Sequence, residues 1–148
     1  MDIETLATTT ERVFENIHRR VFLGEPVANP RLKVEVTEVT AVEDTPVMIL
    51  ITPWTLNGMM FPPDDAFPDQ LVVGAKSYPV FSHELEEVGP YFSVNLMSDV
   101  STLQAPEAAR SVASALGEPL RNAVAAVRRA RGVADPGRRR LLTGEFDA

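Results

Sequence analysis

A chain of 148 residues, 45% hydrophobic and 24% charged, is sized for one compact domain with a genuine core. The absence of cysteine excludes disulfides, thiolate metal sites, iron–sulfur ligation and cysteine nucleophiles. Two histidines 65 positions apart, His18 and His83, cannot furnish a histidine-rich metal cage. The net charge of −7 is unevenly spread: residues 1–109 carry 17 acidic against 6 basic side chains, or −11, whereas residues 110–148 carry 4 against 8, or +4. An acidic body repels nucleic acid and attracts cationic segments; the basic end suits either an acidic partner or a helix C-terminus.

Met1-Asp2-Ile3-Glu4 lacks the basic start and apolar run of a signal peptide, and no apolar stretch approaches the roughly 20 residues that span a bilayer, so the expected address is the cytoplasm. Residues 3–22 read as an amphipathic helix. Ile3, Leu6, Thr10, Val13, Phe14, Ile17 and Val21 recur at spacings of three and four, and Gly24 and Pro26 stop it. A strand starts near Leu32, where Leu32, Val34 and Val36 alternate with Lys33 and Glu35. After a turn at Glu43–Pro46, Val47–Ile51 is apolar on both parities, which predicts a central strand covered on both faces. Thr52-Pro53-Trp54 ends it, since proline cannot donate to a ladder.

Asn57-Gly58 reads as a turn dipeptide, with apolar character resuming at Met59-Met60-Phe61. Pro62–Pro68 is loop, and a short helical turn is weakly indicated at Asp69–Val73. Tyr78–Leu85 and Tyr91–Met97 read as strands joined by a turn at Gly89-Pro90. From Ala105 a helix follows, with Ala109, Val112, Ala113 and Leu116 as its stripe, interrupted or kinked at Gly117-Glu118-Pro119 and resumed by Leu120, Val124 and Val127. The order predicts an α+β two-layer sandwich: an antiparallel sheet of about five strands, with an N-terminal helix and C-terminal helices over one face. Residues 1–135 form the expected single domain and residues 136–148 a flexible tail rich in arginine and leucine.

Chemistry-bearing groups are sparse. His83-Glu84-Leu85-Glu86-Glu87 places a histidine among carboxylates, but strand alternation sends His83 and Leu85 one way and Glu84 and Glu86 the other, so it reads as a solvated hairpin end. Asp64, Asp65 and Asp69 lie in a proline-rich loop with no sign of a cleft to separate their pKa values, and loop solvation is the simpler reading. Neither a glycine–serine elbow nor a phosphate-cradling glycine pattern occurs. No catalytic set, metal site or cofactor is expected.

Binding features are clearer. Pro53, Trp54, Leu56, Met59, Met60, Phe61 and Pro62 gather the only tryptophan and two of five methionines at a strand end. This suits either plain core or a plastic groove for an apolar peptide. Met97 takes the parity opposite to Phe92, Val94 and Leu96, open to helix cover or to binding. Arg138, Arg139, Leu141 and Leu142 mix cations with apolar side chains, as a short docking segment does.

Three stretches together resemble a known family: Ile51-Thr52-Pro53-Trp54-x-Leu56 with Phe61-Pro62, Tyr91-x-x-x-x-Leu96-Met97-Ser98, and Gly137-Arg138-Arg139-x-Leu141-Leu142-x-Gly144. They are similar to the HybE (HupJ-related) family of nickel–iron hydrogenase assembly chaperones. The resemblance implies a cytoplasmic, non-catalytic protein with a fold like that of secretion chaperones. Its implied partners are the hydrogenase small-subunit precursor, whose leader carries a twin-arginine signal, and the large-subunit precursor, which it helps to pair before export. Some relatives carry a rubredoxin module, which a chain without cysteine lacks. Two alternatives stay open: a chaperone or adaptor for another exported client, and a metal-dependent enzyme using the acidic clusters.

Overall fold

The computed structural model describes residues 2–22 and 28–134. Helix α1 (Ile3–Ile17) runs into a π-helical turn over His18–Phe22. Seven strands follow: β1 (Glu35–Val42), β2 (Thr45–Ile51), β3 (Leu56–Met60), β4 (Gln70–Val73), β5 (Lys76–Pro79), β6 (Phe81–Leu85) and β7 (Gly89–Met97). Helix α2 (Pro106–Ala134) completes the described chain. Asp2 caps α1 by accepting a 2.8 Å hydrogen bond from the Thr5 amide, and Glu4 lies in the first turn, where the helix dipole favours negative charge.

Five strands form one antiparallel sheet in the order β1-β2-β3-β7-β6, and β4 pairs with β5 as a separate hairpin. The expected α+β class, with an antiparallel sheet of five strands and helices at both ends of the chain, is what the molecule adopts. Side-chain alternation along β2 decides the layering. Val47, Ile49 and Ile51 join a cluster with Ala109, Ala113, Leu120 and Val124 of α2, while Met48 and Leu50 join one with Leu6 of α1. The helices therefore cover opposite faces rather than sharing one. Both parities of β2 are apolar because both faces are covered.

Several local expectations change for identifiable reasons. Leu32 and Val34 are buried but precede β1 and pack into different clusters, so their alternation is not that of a strand on one face. Asn57-Gly58 lies inside β3, where Ile49 pairs with Gly58 and Leu50 with Asn57. A Cβ on Gly58 would stand 2.9 Å from Leu120 Cδ2, so this glycine admits α2 to close approach rather than turning the chain. The weak helical indication at 69–73 is strand β4; Gly74, with φ 64°, begins the two-residue loop to β5. The segment 78–85 divides at Val80, whose amide donates to the Asp69 carbonyl, giving β5 and β6. Gly89-Pro90 begins β7, and Gly89 adopts φ 78° on leaving the turn.

Helix α2 runs unbroken for 29 residues with Pro119 inside. Proline removes the hydrogen bond to the carbonyl four residues back, but Ala115 is exposed, so water can satisfy that carbonyl. Gly117 has its own reason: a Cβ there would collide with the Glu38 carboxylate, which crosses the helix to bind Arg121 at 3.1 Å.

Candidate partner-binding site

On the face that carries α1, the helix covers β1 and β2 and leaves a cleft beside β3, β7 and β6. It has a volume of about 110 Å³ and is lined by Phe14, Leu50, Asn57, Met59, His83, Tyr91 and Ser93. Strand period two puts Asn57 and Met59 of β3 and Tyr91 and Ser93 of β7 on this one face. The floor is apolar and the wall toward β6 is polar. His83 Nε2 lies 2.8 Å from Ser93 Oγ, and its ring stacks on Tyr91 at 4.8 Å between centroids. Desolvation pushes the His83 imidazole below its ordinary pKa, and burial pushes the Tyr91 phenol up to about 12.

A histidine hydrogen-bonded to a serine invites comparison with a nucleophile and its base. Two parts of that machinery are missing among the described residues: no carboxylate orients the other imidazole nitrogen, and the Ser93 amide lies within the β-ladder rather than facing an oxyanion position. The pair therefore fixes the His83 ring. Alternation in the sequence puts His83 on one strand face, but its meeting with Ser93 and Tyr91 depends on the β6–β7 register, which composition does not reveal.

The loop between β2 and β3 carries Trp54. Thr52 Oγ1 accepts hydrogen bonds from the Trp54 and Thr55 amides at 3.1 and 3.0 Å, shaping this turn, and the Pro53 carbonyl accepts from the Asn29 amide at 2.7 Å. Trp54 is half-buried and meets the His18 ring edge-to-face at 4.9 Å.

The other residues singled out from sequence are distributed unevenly. Pro53 and Pro62 are buried. Leu56 and Met60 are fully buried on the α2 face, and Met59 and Phe61 are buried on the α1 face. A single groove containing all of them does not form, because consecutive strand residues point to opposite faces. Met97 packs with Leu96 against the α2-side cluster instead of opposing it. The cause is a bulge: Leu56 pairs with Met97 but Asn57 with Asn95, so two β7 residues face one on β3. Arg138, Arg139, Leu141 and Leu142 lie outside the described residues.

The acidic loop is not merely solvated. Arg128, 3% exposed, binds Asp44 through two hydrogen bonds of 2.9 Å, Asp64 at 3.0 Å and the Ala66 carbonyl at 2.9 Å, and Arg131 also bonds to Asp64. Desolvation acts to raise the Asp64 carboxyl, but the hydrogen bonds from Arg131 and Arg128 outweigh it and hold the group below the ordinary aspartate value. Along α2, Arg110 pairs with Glu35 and Arg129 with Glu43. Much of the basic charge of residues 110–134 is thus spent within the fold. Among the described residues no three His, Asp or Glu side chains converge as a metal site, and no helix is long and apolar enough to cross a membrane.

The chain's likenesses agree with this architecture. The family described as "[NiFe]-hydrogenase assembly, chaperone, HybE" matches residues 5–144. The hydrogenase expression/formation protein HoxT of Azotobacter vinelandii is 37% identical over 105 residues, covering 66% of this chain and 67% of that protein. The hydrogenase-2 operon protein HybE of Escherichia coli strain K12 is 33% identical over 101 residues, covering 62% of this chain and 61% of that protein. The chain thus spans about two thirds of the length of the curated relatives it matches. The solution structure of HybE from Escherichia coli superimposes with a TM-score of 0.56 at 25% identity, covering 79% of this chain and 77% of that one. With a match running nearly end to end and a shared fold, this chain belongs to the HybE family of [NiFe]-hydrogenase assembly chaperones.

Proposed function

We propose that this chain is a non-catalytic chaperone of the cytoplasm that binds hydrogenase subunit precursors and coordinates their pairing before export. The small-subunit precursor with its twin-arginine leader and the large-subunit precursor are the proposed clients. One observation carries the reading beyond family membership: the cleft beside α1 joins an apolar floor of Met59, Leu50 and Phe14 to a polar wall of His83, Ser93 and Asn57. A cleft of about 110 Å³ has room for a single apolar side chain of an unfinished client, and it takes one without demanding a fixed sequence, because Met59 at its floor adapts to irregular partners. Trp54, half-exposed on the β2–β3 loop, serves as an anchor, and Arg138, Arg139, Leu141 and Leu142 are a second proposed contact on their composition alone.

Purified protein titrated by calorimetry with small-subunit precursor, with and without its leader, and with large-subunit precursor tests the proposal. Saturable binding of the precursor supports it. Indifference to both subunit precursors under conditions where they stay soluble overturns it.

A further inference from the structure

The two edges of the five-stranded sheet are built differently. At the β1 edge the Val36 amide, which points away from β2, donates to Glu11 Oε1 of α1 at 2.8 Å. A register shift between Thr37 and Thr40 then bends the strand, with Glu38 at φ 55°. A charged side chain and a bulge are devices that blunt an edge against pairing. The β6 edge has no bulge, and among the described residues no side chain caps its outward amides; its one charged side chain, Glu84, leaves the edge open to a strand of opposite charge. The register of β6 with β7 is continuous from Phe81–Ser93 to Leu85–Gly89. Glu84 pairs with Pro90, which cannot donate, so this is a non-hydrogen-bonded pair, and by alternation Ser82–Phe92 is another. The N–H and C=O groups of Ser82 and Glu84 therefore point outward. No further strand pairs with β6 among the described residues. All but Leu85 of this strand is exposed, and Phe81 is 51% exposed.

Charge and shape select the occupant. Glu84, Glu86 and Glu87 are exposed and make no ion pair among the described residues, in contrast to Glu35, Glu38, Glu43, Asp44 and Asp64, which arginines of α2 engage. Pairing of β6 with a second copy of itself would bring these carboxylates from both copies along one short ladder, where like charges repel. A cationic extended strand meets complementary charge instead, and Phe81 offers it an apolar neighbour.

We infer that β6 is a docking edge that adds an extended basic segment of a partner chain as a sixth strand, with main-chain hydrogen bonds to Ser82 and Glu84 and cations against Glu84, Glu86 and Glu87. His83, on the same strand, borders the cleft, so the added strand lies beside the surface proposed above for hydrogenase precursors. The inference rests on that reading for the identity of the partner but not for the edge itself.

The probe is a short synthetic peptide of alternating valine and arginine, titrated into the full chain at low salt and followed by amide hydrogen exchange. The expected result is slowed exchange at Ser82 and Glu84, with affinity falling about tenfold or more when serine replaces arginine in the peptide. Ser82→Pro removes one outward N–H without touching the β6–β7 ladder, and Glu84→Lys/Glu86→Lys/Glu87→Lys inverts the charge on exposed positions. Both should reduce peptide binding by a similar factor. Near-ultraviolet circular dichroism checks that each variant keeps its native packing. Absence of peptide binding, binding that leaves Ser82 and Glu84 unprotected, or undiminished binding by both variants overturns the inference. Protection that grows with protein concentration in the absence of peptide also overturns it, in favour of self-pairing. Small- and large-subunit precursors are titrated in parallel. If the peptide docks and the precursors do not, the edge stands and the hydrogenase reading falls; if both variants bind the peptide and capture precursor as well as wild type, the edge falls and that reading stands.

Discussion

Arg128 and Asp44 are joined by two parallel hydrogen bonds, Nε to Oδ1 and Nη2 to Oδ2, each 2.9 Å long, across 84 residues of sequence. The guanidinium is almost wholly buried and two further donors go to Asp64 and the Ala66 carbonyl, so it ties the end of α2 to the β1–β2 turn and the loop after β3. A fork matched to a carboxylate in this way is a use that lysine cannot reproduce. Arg128→Ala leaves two carboxylates facing a cavity and should cost about 2–4 kcal/mol, read as a lowered urea midpoint at neutral pH. Arg128→Lys should recover only part of it.

The same cluster sets an acid limb. The Asp64 carboxyl is held below its ordinary value in the fold, so its contribution is complete above about pH 4 and disappears as pH falls through the depressed value. His83 is also depressed, by desolvation, so folding favours its neutral form; that contribution is complete above about pH 6.5 and declines below it. Asp64→Asn should flatten stability against pH in the lower window and His83→Gln in the upper one, each without altering the other. Chemical denaturation at closely spaced pH values checks both.

Gly58 sits where Leu120 of α2 and Val94 of β7 leave no room for a side chain. Gly58→Ala should destabilise by about 1–3 kcal/mol through overpacking, despite the better strand propensity of alanine. Leu120→Val combined with it should show coupling in a double-mutant cycle, since the two positions share the same space.

Variants at Trp54 and Met60 test whether the proposed binding separates from core packing. Met60 is fully buried, and Met60→Ala should cost about 2–4 kcal/mol of stability. Trp54→Ala should instead weaken capture of hydrogenase precursor about tenfold or more while lowering the melting temperature only modestly. A variant that binds normally, or one that is simply unfolded, removes Trp54 from the binding account.

Electrostatic steering by the acidic body predicts that precursor affinity falls as salt rises from about 0.01 M to 0.5 M. An affinity indifferent to ionic strength would remove the acidic body from the proposed recognition.

Periodicity alone determined much of this protein. The amphipathic stripe of α1, the doubly apolar β2, the alanine-rich face of α2 and the antiparallel α+β class follow from spacings of three to four and of two, because those repeats dictate which side chains share a face. The motif segments also carried the family. What only the tertiary structure decided depends on partners distant in sequence. Asn57-Gly58 has turn chemistry, yet pairing with β2 and the pressure of Leu120 make it strand. Pro119 breaks helices in general, yet an exposed Ala115 and a packed stripe on either side let α2 continue. Met59 and Met60 are alike in composition and face opposite layers, so their common greasiness says nothing of which one reaches the cleft. Local preferences are worth about a kilocalorie per residue, and burial of a sheet between two helices outweighs them wherever the two conflict.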